Sequence, residues 1–306
     1  MKKILIIAGG YSKEREISIL TAKSVFKELK KIKKYNIKIA EPGGSFVKEL
    51  RLYKPDLVFN LLHGRYGEDG YIQAILEVEK VKYTHSGVLS SSLAIDKELS
   101  KKIFNKNNIL TPKYLKFIFK KNINKKKIIK MVEKKLKFPV VIKPINEGSS
   151  VSVYICNKSN FIKNLFKLKN YNEVLVEKYI PGREIQVAIL ENKKLGAIEL
   201  KPKRKFYDYE AKYNPKAKTE HIIPVKISKQ NYEKVTNIAL KAHRLLKCRG
   251  VTRSDFRFCN NKFYLLEINT QPGMTSLSLV PEIARYKNIN FKQLIEKIID
   301  DASINK

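Results

Sequence analysis

Apolar and polar positions follow two different periods in the first hundred residues of the chain. The apolar run from Lys3 to Ala8 predicts a buried strand that ends at Gly9 and Gly10, and helical spacing of apolar positions predicts a helix from Ile17 to Lys30. Asp56 to Leu62 indicates a second buried strand, which leads into the polar loop HGRYGEDG, whose glycines permit close approach of a ligand to the backbone. This order of strand, glycine turn and helix is typical of an α/β domain. Further helices are expected at Tyr71 to Lys80 and from about Ser92 to Asn107, with a short strand at Tyr83 and Thr84 between them.

The remainder of the chain is richer in strand-type patterns, which polar loops interrupt. In FPVVIKPINEGSSVSVYIC two β-rich runs flank a polar loop that contains glycine, an arrangement that resembles a flap over a phosphate. From Pro202 to Pro224 the sequence is polar and aromatic with weak periodicity, and a loop of this length inside a compact domain predicts an active-site lid. Strands are expected at Glu173 to Lys178, Glu184 to Leu190 and Leu195 to Leu200, and helices at Ser228 to Leu246 and Phe291 to Ala302.

The segment GVTRSDFRFCNNKFYLLEINTQPG, from Gly250 to Gly273, predicts a hairpin with one charged and one apolar face. Side chains two apart on a strand share a face. The charged face is expected to carry Val251, Arg253, Asp255, Arg257, Phe263, Leu265, Glu267 and Asn269, and the apolar face Thr252, Ser254, Phe256, Phe258, Tyr264, Leu266 and Ile268. The apolar sets align only if Asn260 to Lys262 forms a three-residue connection, and asparagine tolerates the left-handed backbone that such a connection demands. Asp255 then lies directly across from Glu267.

Two opposed carboxylates on one hairpin face repel each other unless a cation neutralises them. Mg²⁺ prefers oxygen ligands and usually takes one or two carboxylates plus substrate phosphates, a set that Asp255, Glu267 and the amide oxygen of Asn269 can supply. A solvated hairpin face paired by Arg253 and Arg257 is the alternative, and for an arbitrary charged hairpin it is favoured. Features elsewhere in the chain have to decide between the two.

Composition and charge narrow the class of protein. The chain has 306 residues, 43% of them hydrophobic, which suits a globular protein of two or three domains. The net charge of +34 invites a nucleic-acid hypothesis, but lysine is scattered along the chain and no nucleic-acid-binding module occurs, so we expect no specific nucleic-acid partner. No apolar run approaches the roughly 20 residues of a membrane span and no signal peptide is indicated, so we expect a cytoplasmic protein without membrane contact. Cys156, Cys248 and Cys259 lack metal-site spacing and are expected to be small buried hydrophobic residues.

Eight motifs occur in an order and spacing that resemble the D-alanine–D-alanine ligases of the ATP-grasp superfamily, along essentially the whole chain. They are AGGYSKEREIS, LLHGRYGEDG, YTHSG, IKPINEGSSV, VEKYIPGRE, FYDYEAKY, TRSDF and EINTQPGMTSLSLVP. The resemblance implies a mixed α/β and α+β fold with the three-domain ATP-grasp architecture. Its parts are an N-terminal parallel α/β substrate domain (1–96), a central small α+β domain (97–182) and a C-terminal α+β catalytic domain (183–306) with the lid at 202–224. ATP is expected between the last two domains.

The same resemblance implies roles for single residues. The phosphates of the nucleotide are expected to contact Lys97, Lys143 and Lys212. Its adenine is expected to contact Glu177, Lys178 and Ile180, and its ribose is expected to lie near Glu184. Mg²⁺ or Mn²⁺, with two ions expected, is assigned to Asp255, Glu267 and Asn269. The residues implied in catalysis are Glu14, Ser149, Tyr213, Arg253 and the backbone N–H of Gly273, with Ser150 beside them in the flap. Substrate contacts are implied for His63, Ser278 and Leu279.

The implied reaction joins two D-alanines through an acyl phosphate, with ATP converted to ADP and phosphate, for peptidoglycan precursor synthesis. Small-molecule substrates and a homodimer are the partners that the resemblance implies. Ser152 departs from the family pattern, because many members have glycine there, and it is expected either to stiffen the flap or to shift its phosphate geometry. Two alternatives stay open from the sequence, namely another ATP-grasp carboxylate–amine ligase and a basic nucleic-acid-binding protein.

Overall fold

Three β-sheets organise the computed structural model, which describes residues 1–119, 123–148, 151–201, 219–275 and 278–304. The first sheet is parallel and belongs to the N-terminal part of the chain. The other two are antiparallel and come from the middle and from the C-terminal part. The division of the chain into domains at residues 96 and 182 stays a prediction.

The two inner strands of the first sheet are buried on both faces over most of their length, as is typical of parallel sheets. Its strands are β1 (Lys2–Ile7), β2 (Tyr35–Ala40), β3 (Leu57–Asn60) and β4 (Lys82–Tyr83), in the spatial order β2-β1-β3-β4. The helices between and after them are α1 (Arg15–Leu29), α2 (Phe46–Tyr53), α3 (Tyr71–Val78) and α4 (Val88–Ile95). The loops that leave β1 and β3 therefore emerge at the same edge of the sheet, since neighbouring parallel strands end together.

The second sheet is a small antiparallel sheet with helices against it. Its strands are β5 (Tyr114–Ile118), β6 (Val140–Pro144), β7 (Tyr154–Cys156) and β8 (Glu173–Lys178), in the order β5-β8-β6-β7. The helices of this region are α5 (Lys97–Lys106), α6 (Lys125–Lys135) and α7 (Phe161–Lys167), with a 3₁₀ turn at Lys169–Tyr171. Central strands β6 and β8 place Lys143 beside Leu175 and Val141 beside Glu177.

The third sheet is antiparallel and is covered on both faces. Its strands are β9 (Arg183–Leu190), β10 (Lys193–Lys201), β11 (Glu220–Ile222), β12 (Val251–Cys259) and β13 (Lys262–Asn269), in the order β11-β10-β9-β12-β13. The helices are α8 (Lys229–Leu245), α9 (Leu279–Tyr286) and α10 (Phe291–Asp300). One apolar core joins Val187 and Phe256 of the sheet to Ala239 of α8, and the other joins Ile198 to Ile283 of α9.

The hairpin of β12 and β13 differs from the sequence prediction in its turn. The expected three-residue connection is wrong, because Cys259 pairs with Lys262 and only Asn260 and Asn261 lie between the strands. Both asparagines have positive φ, 48° and 57°, as a two-residue hairpin turn of the mirror-image type requires. The extra residue sits further along as a β-bulge between Phe256 and Asp255.

The bulge moves two residues from the predicted charged face to the core. Phe263 and Leu265 are buried with Phe256, whereas Leu266, which was assigned to the apolar face, is partly exposed and lines a cavity. Beyond the bulge Asp255 pairs with Glu267, as predicted. The predicted length of the turn is therefore wrong, and so are the predicted faces of the residues between the turn and the bulge. The predicted pairing of Asp255 with Glu267 is confirmed.

The single helix expected from Ser92 to Asn107 is also wrong, because it is two helices separated at Asp96. The backbone of Asp96 is extended, and its side-chain Oδ1 accepts the N–H groups of Glu98 and Leu99, both at 2.9 Å. An aspartate in this conformation begins a helix and interrupts the one before it. Lys97 thereby becomes the first residue of α5.

No helix in the described ranges is long and apolar enough to cross a membrane. The three cysteines are free thiols, of which Cys156 and Cys248 are buried as expected and Cys259 is partly exposed.

Candidate active site

Two cavities lie at the junction of the three sheets, and they share a wall. The first cavity lies between the second sheet and the hairpin of β12 and β13, and the second lies between the hairpin end and the loops that follow β1 and β3. Lys97 and Glu267 line both cavities, and their charged groups are 3.3 Å apart. This ion pair therefore forms part of the wall of each cavity.

The first cavity contains a buried carboxylate held by two lysines. Glu177 Oε2 lies 2.9 Å from Lys143 Nζ, and Glu177 Oε1 lies 3.0 Å from Lys101 Nζ. Burial by itself raises the pKa of Glu177, but Lys101 and Lys143 outweigh it, so the pKa of this carboxyl lies below its ordinary value. Burial lowers the pKa of Lys101 to about 8, although Glu177 acts in the opposite direction. The cluster gives the cavity an ionised acceptor with one surplus positive charge.

Lys97 is fixed by the start of α5. Its ammonium donates to the backbone oxygen of Glu147 at 2.5 Å, at the end of the loop that follows β6. Lys143 comes from β6 itself, so the two lysines reach the first cavity from different elements. Two buried ammonium groups beside a cavity suit phosphate groups, because lysine is a compact cation with three donors.

The predicted adenine and ribose residues also line the first cavity. Lys178 and Ile180 follow Glu177 along the chain, and Glu184 begins the part of β9 that faces the cavity, 3.4 Å from Arg257 Nη2. The Lys178 ammonium is turned to the backbone oxygen of Lys137 at 3.2 Å. Any contact that Lys178 makes to a base therefore involves its backbone. Apolar walls come from Val141, Val151, Val153 and Leu266.

Charged and polar residues of the hairpin, Arg253, Asp255, Glu267 and Asn269, line the two cavities. Arg253 holds Asp255 through two hydrogen bonds, Nε to Oδ1 at 2.8 Å and Nη2 to Oδ2 at 3.1 Å. Asn269 Oδ1 accepts the backbone N–H of Gln271 at 2.8 Å. Gln271 in turn donates from its side chain to the backbone oxygen of Leu62, which ties the hairpin end to the segment between β3 and His63.

The predicted metal ligands lie on one hairpin, where Asp255 lines the first cavity, Asn269 lines the second and Glu267 lines both. Among the described residues no group of three His, Cys, Asp or Glu side chains is placed to hold a metal, so the candidate set is two carboxylates and one carboxamide. Asp255 and Glu267 lie directly across the hairpin, and each faces a cationic side chain, Arg253 and Lys97 respectively. All-oxygen ligands and opposed carboxylates fit Mg²⁺ or Mn²⁺ that also binds phosphate.

The second cavity is lined by an acidic and imidazole cluster. Glu14 is 5% exposed and stands immediately before α1, and a Cβ on Gly148 would lie only 2.9 Å from its Oε1. His63 Nδ1 lies 3.3 Å from Glu68 Oε1, and its Nε2 lies 3.3 Å from Thr21 Oγ1. Burial lowers the pKa of His63, but Glu68 and Glu14 outweigh it, so the pKa of the imidazole lies above its ordinary value.

The opposite wall of the second cavity is the hairpin end. Arg253, Asn269 and Gly273 line it together with Glu267. The cavity therefore has the carboxylates of Glu14 and Glu68 on one side and the guanidinium of Arg253, with Glu267 beside it, on the other. Such a site suits a zwitterion, whose ammonium and carboxylate need opposite partners.

Ser278 and Leu279 line neither cavity among the described residues. Ser278 precedes α9, and its Oγ accepts the N–H of Thr275 at 3.0 Å; a Cβ on Gly273 would lie 3.0 Å from the same oxygen. The Leu279 side chain is buried in the core. A substrate contact by Leu279 would therefore involve its backbone.

Three predicted site residues, Ser149, Lys212 and Tyr213, lie outside the described residues, as do Ser150 and most of the proposed lid, 202–218. Ser152 in the flap is described. It has φ of 59°, a conformation that favours glycine, which accounts for the glycine expected there from the family pattern. Its hydroxyl lies 3.3 Å from the Tyr171 hydroxyl.

Two residues were missed from the sequence: Glu68, which lines the second cavity, and Lys101, which pairs with Glu177 behind the first. Lys101 follows Lys97 by four residues, so both lie on one face of α5, a spacing that signals a shared environment. Glu68 lies inside the loop HGRYGEDG, five residues after His63. Both were hidden among the many lysines and acidic loop residues of a highly charged chain.

Two antiparallel sheets that enclose a cavity with buried lysines and carboxylates, joined to a parallel α/β unit, define the ATP-grasp architecture. The family described as D-ala D-ala ligase C-terminus matches residues 103–300. A D-alanine–D-alanine ligase of Pelagibacter ubique is 66% identical over 305 residues, which cover 100% of this chain and 99% of that relative. One of Wolbachia pipientis wMel is 45% identical over 99% of this chain and 95% of the relative.

Solved structures agree with the sequence relatives. The D-alanine–D-alanine ligase of Bacillus anthracis has a TM-score of 0.87 at 34% identity, over 98% of this chain and 97% of that one. The same enzyme complexed with ATP has a TM-score of 0.85 at 30% identity, over the same shares of the two chains. The chain belongs to the D-alanine–D-alanine ligase family.

Proposed function

We propose that the protein ligates two D-alanine molecules to D-alanyl-D-alanine, with ATP converted to ADP and phosphate, for peptidoglycan precursor synthesis. The observation that carries the proposal is the pair of cavities that share the Lys97–Glu267 wall. One cavity has the cations and apolar walls that a nucleotide needs, and the other has the opposed charges that an amino acid needs. Phosphoryl transfer between two ligands requires this adjacency.

ATP occupies the first cavity in this proposal. Lys97 and Lys143 bind its phosphates, joined by Lys212 from outside the described residues. The adenine lies against Val141 and Leu266, where Glu177 accepts from its amino group and the backbone of Lys178 and Ile180 meets its edge. Glu184 binds the ribose. Before the nucleotide binds, Lys97 pairs with Glu267 and Lys143 pairs with Glu177.

Mg²⁺ or Mn²⁺, as two ions, is proposed at Asp255, Glu267 and Asn269, together with phosphate oxygens. When bound, the ions neutralise charge on the phosphoryl group that is transferred. Arg253 pairs with Asp255 and Lys97 pairs with Glu267, so both cations are placed to help balance the charge on the phosphoryl group.

The first D-alanine is proposed in the second cavity, with its ammonium at Glu14 and His63 beside it. Its carboxylate oxygen attacks the γ-phosphorus of ATP, the bond from phosphorus to the bridging oxygen breaks, and ADP leaves. The acyl phosphate that results is then attacked at its carbonyl carbon by the amine of the second D-alanine. A proton leaves the amine and phosphate leaves the carbonyl.

The residues of the hairpin end stabilise the charge that develops in the second step. Arg253 and the backbone N–H of Gly273 both line the second cavity, where an oxyanion forms when the amine adds to the carbonyl. Ser278 and the backbone of Leu279 are proposed to receive the carboxylate of the second D-alanine. Ser149 and Tyr213 are proposed to reach toward Glu14, and the lid is proposed to exclude water from the acyl phosphate.

A coupled assay of ADP release tests the proposal directly. Purified protein with ATP and Mg²⁺ should release ADP only when D-alanine is added, and D-lactate added together with D-alanine should not increase the rate. Turnover with another amino acid in place of D-alanine would contradict the substrate and leave a different carboxylate–amine ligase.

We also propose a cytoplasmic homodimer. The compartment follows from the ATP that the reaction consumes, and recovery of the protein in the membrane fraction of lysed cells would count against it.

The dimer is supported by Tyr71, Ile75 and Val78, which share one face of α3 and are 58%, 37% and 79% exposed. Ile75→Glu should shift the sedimentation coefficient to that of a monomer, whereas Ile118→Glu on β5 should not. A wild-type monomer at micromolar concentration would contradict the proposal.

A further inference from the structure

Lys101 is fully buried and takes no direct part in the proposed site. Its side chain is 0% exposed and lines neither cavity, so it has no path to a ligand. Its ammonium lies 3.0 Å from Glu177 Oε1, on the side of the carboxylate opposite to Lys143. Each oxygen of Glu177 therefore faces a different lysine.

A buried lysine is costly for the fold. Burial removes the hydration of the ammonium, which is why the pKa of Lys101 falls to about 8. Buried ion pairs are often replaced by apolar side chains with no loss of stability, so stability by itself gives little reason for a charge at this position. The charge on Lys101 has to be explained by what it does to Glu177.

We propose that Lys101 is a positioning residue for base recognition: it holds the Glu177 carboxylate ionised and oriented so that it accepts a hydrogen bond from the 6-amino group of adenine. This inference rests on the proposed nucleotide site. Without Lys101 the carboxyl would keep only Lys143 as a cationic partner, and burial would favour its protonated form.

The proposal predicts a change in base selectivity as well as in affinity. An ionised carboxylate accepts from the 6-amino group of adenine and repels the 6-keto oxygen of hypoxanthine. A protonated carboxyl can donate to that keto oxygen instead. Loss of Lys101 should therefore weaken ATP more than ITP.

The test is calorimetric titration of the whole protein with ATP and with ITP, both with Mg²⁺ and without D-alanine. We expect Lys101→Met to weaken ATP about tenfold and ITP by less than about threefold. The KM for ATP should rise while the KM for D-alanine stays constant. Lys102→Met is the matched control, because Lys102 is the next residue of α5, is largely exposed and pairs with Glu98 at 2.7 Å. It should bind both nucleotides as the wild type does.

Two outcomes would overturn the inference while leaving the proposed function intact. One is ATP affinity of Lys101→Met within twofold of the wild type, and the other is an equal loss for ATP and ITP. A wild type that bound neither nucleotide would overturn the proposed function and the inference together.

A double variant keeps the test decisive if Lys101→Met does not fold. Glu177→Gln and Lys101→Met/Glu177→Gln remove the carboxylate through which Lys101 acts, so both should bind ATP equally. A double variant that bound ATP several times more weakly than Glu177→Gln would show that Lys101 acts by another route, and would refute the inference.

Discussion

Three cationic side chains in the described part of the site each face a carboxylate. Lys97 meets Glu267, Lys143 meets Glu177, and Arg253 meets Asp255. These three carboxylates offset most of the positive charge in the described part of the site before any ligand binds, and Lys101, which shares Glu177 with Lys143, supplies the surplus. Removal of one partner leaves the other charge buried, which costs more than loss of a surface pair. Substitutions that test these residues should therefore keep the shape of the side chain and change only its charge.

Glu267→Gln keeps the shape of the side chain and removes its charge. Because Glu267 is a proposed metal ligand, we expect turnover to fall by at least about 100-fold while the unfolding transition stays cooperative. The paramagnetic signal of Mn²⁺ bound in the presence of ATP should weaken in parallel. Glu296→Gln is the control, since Glu296 pairs with Lys34 on the surface. Activity of Glu267→Gln near that of the control would exclude Glu267 from the metal site.

The elements of the fold follow from local pattern except where a single residue interrupts it. Strands such as β8 and helices such as α8 agree with prediction within one residue at each end. The boundary between α4 and α5 was missed because helical spacing continues across Asp96, and only its extended backbone ends the first helix. The bulge was missed because the pairing of Asp255 with Glu267 requires one extra residue between them. That residue can lie either in the turn or in a strand, and both give the same pairing.

Asp96 should be needed for the stability of α5. Asp96→Ala removes the acceptor for the N–H groups of Glu98 and Leu99, and should lower the free energy of unfolding by about 1 kcal/mol. Asp96→Asn keeps an acceptor oxygen and should lose less than half as much. Urea denaturation measures both. Equal stability of Asp96→Ala and the wild type would mean that the hydrogen bonds at 2.9 Å contribute nothing.

The hairpin turn should accept glycine and reject a β-branched residue. Asn261 has φ of 57°, so Asn261→Gly should change the free energy of unfolding by less than about 0.5 kcal/mol, whereas Asn261→Val should lower it by roughly 1–2 kcal/mol. Asn231→Ala is the control for the hydrogen bond that Asn231 Nδ2 donates to Asn261 at 2.8 Å. A destabilised Asn261→Gly that matches Asn261→Val would contradict the turn type.

Across the whole molecule, the order of motifs predicted the fold class, but the contacts between distant segments were beyond the sequence. Lys101 and Glu177 are 76 residues apart and meet because α5 packs against the second sheet. No local pattern encodes that distance. The motifs predicted that residues such as Glu14 and Arg253 belong to the active site. The contacts of the supporting residues Lys101 and Glu68 could be identified only from the three-dimensional structure.

Two neutral buried histidines should make the molecule sensitive to acid. Burial lowers the pKa of His243 to about 4 and that of His85 to about 3, both below the unfolded value near 6.5. At these two positions the unfolded chain therefore binds protons first as pH falls, and their contribution to stability is lost from about pH 6.5 downward. For each histidine the loss is about 2 kcal/mol at pH 5.

His243→Asn isolates one of the two contributions. His243 Nδ1 lies 2.8 Å from Thr252 Oγ1, and asparagine can keep a polar contact there without titrating. Between pH 7.5 and pH 5 the wild type should lose about 2 kcal/mol more stability than His243→Asn, measured by urea denaturation at each pH. Parallel loss in the two proteins would mean that His243 is already protonated in the folded state.

The ion pair of Lys97 and Glu267 has a thermodynamic consequence for the two cavities that it separates. A ligand that displaces Lys97 from one side changes the electrostatic environment of the other side, and this coupling is a free energy that belongs to both binding events. Equilibrium linkage makes it reciprocal: the factor by which a nucleotide changes the affinity for the amino acid must equal the factor by which the amino acid changes the affinity for the nucleotide. The two substrates are thus expected to bind as a thermodynamically coupled pair.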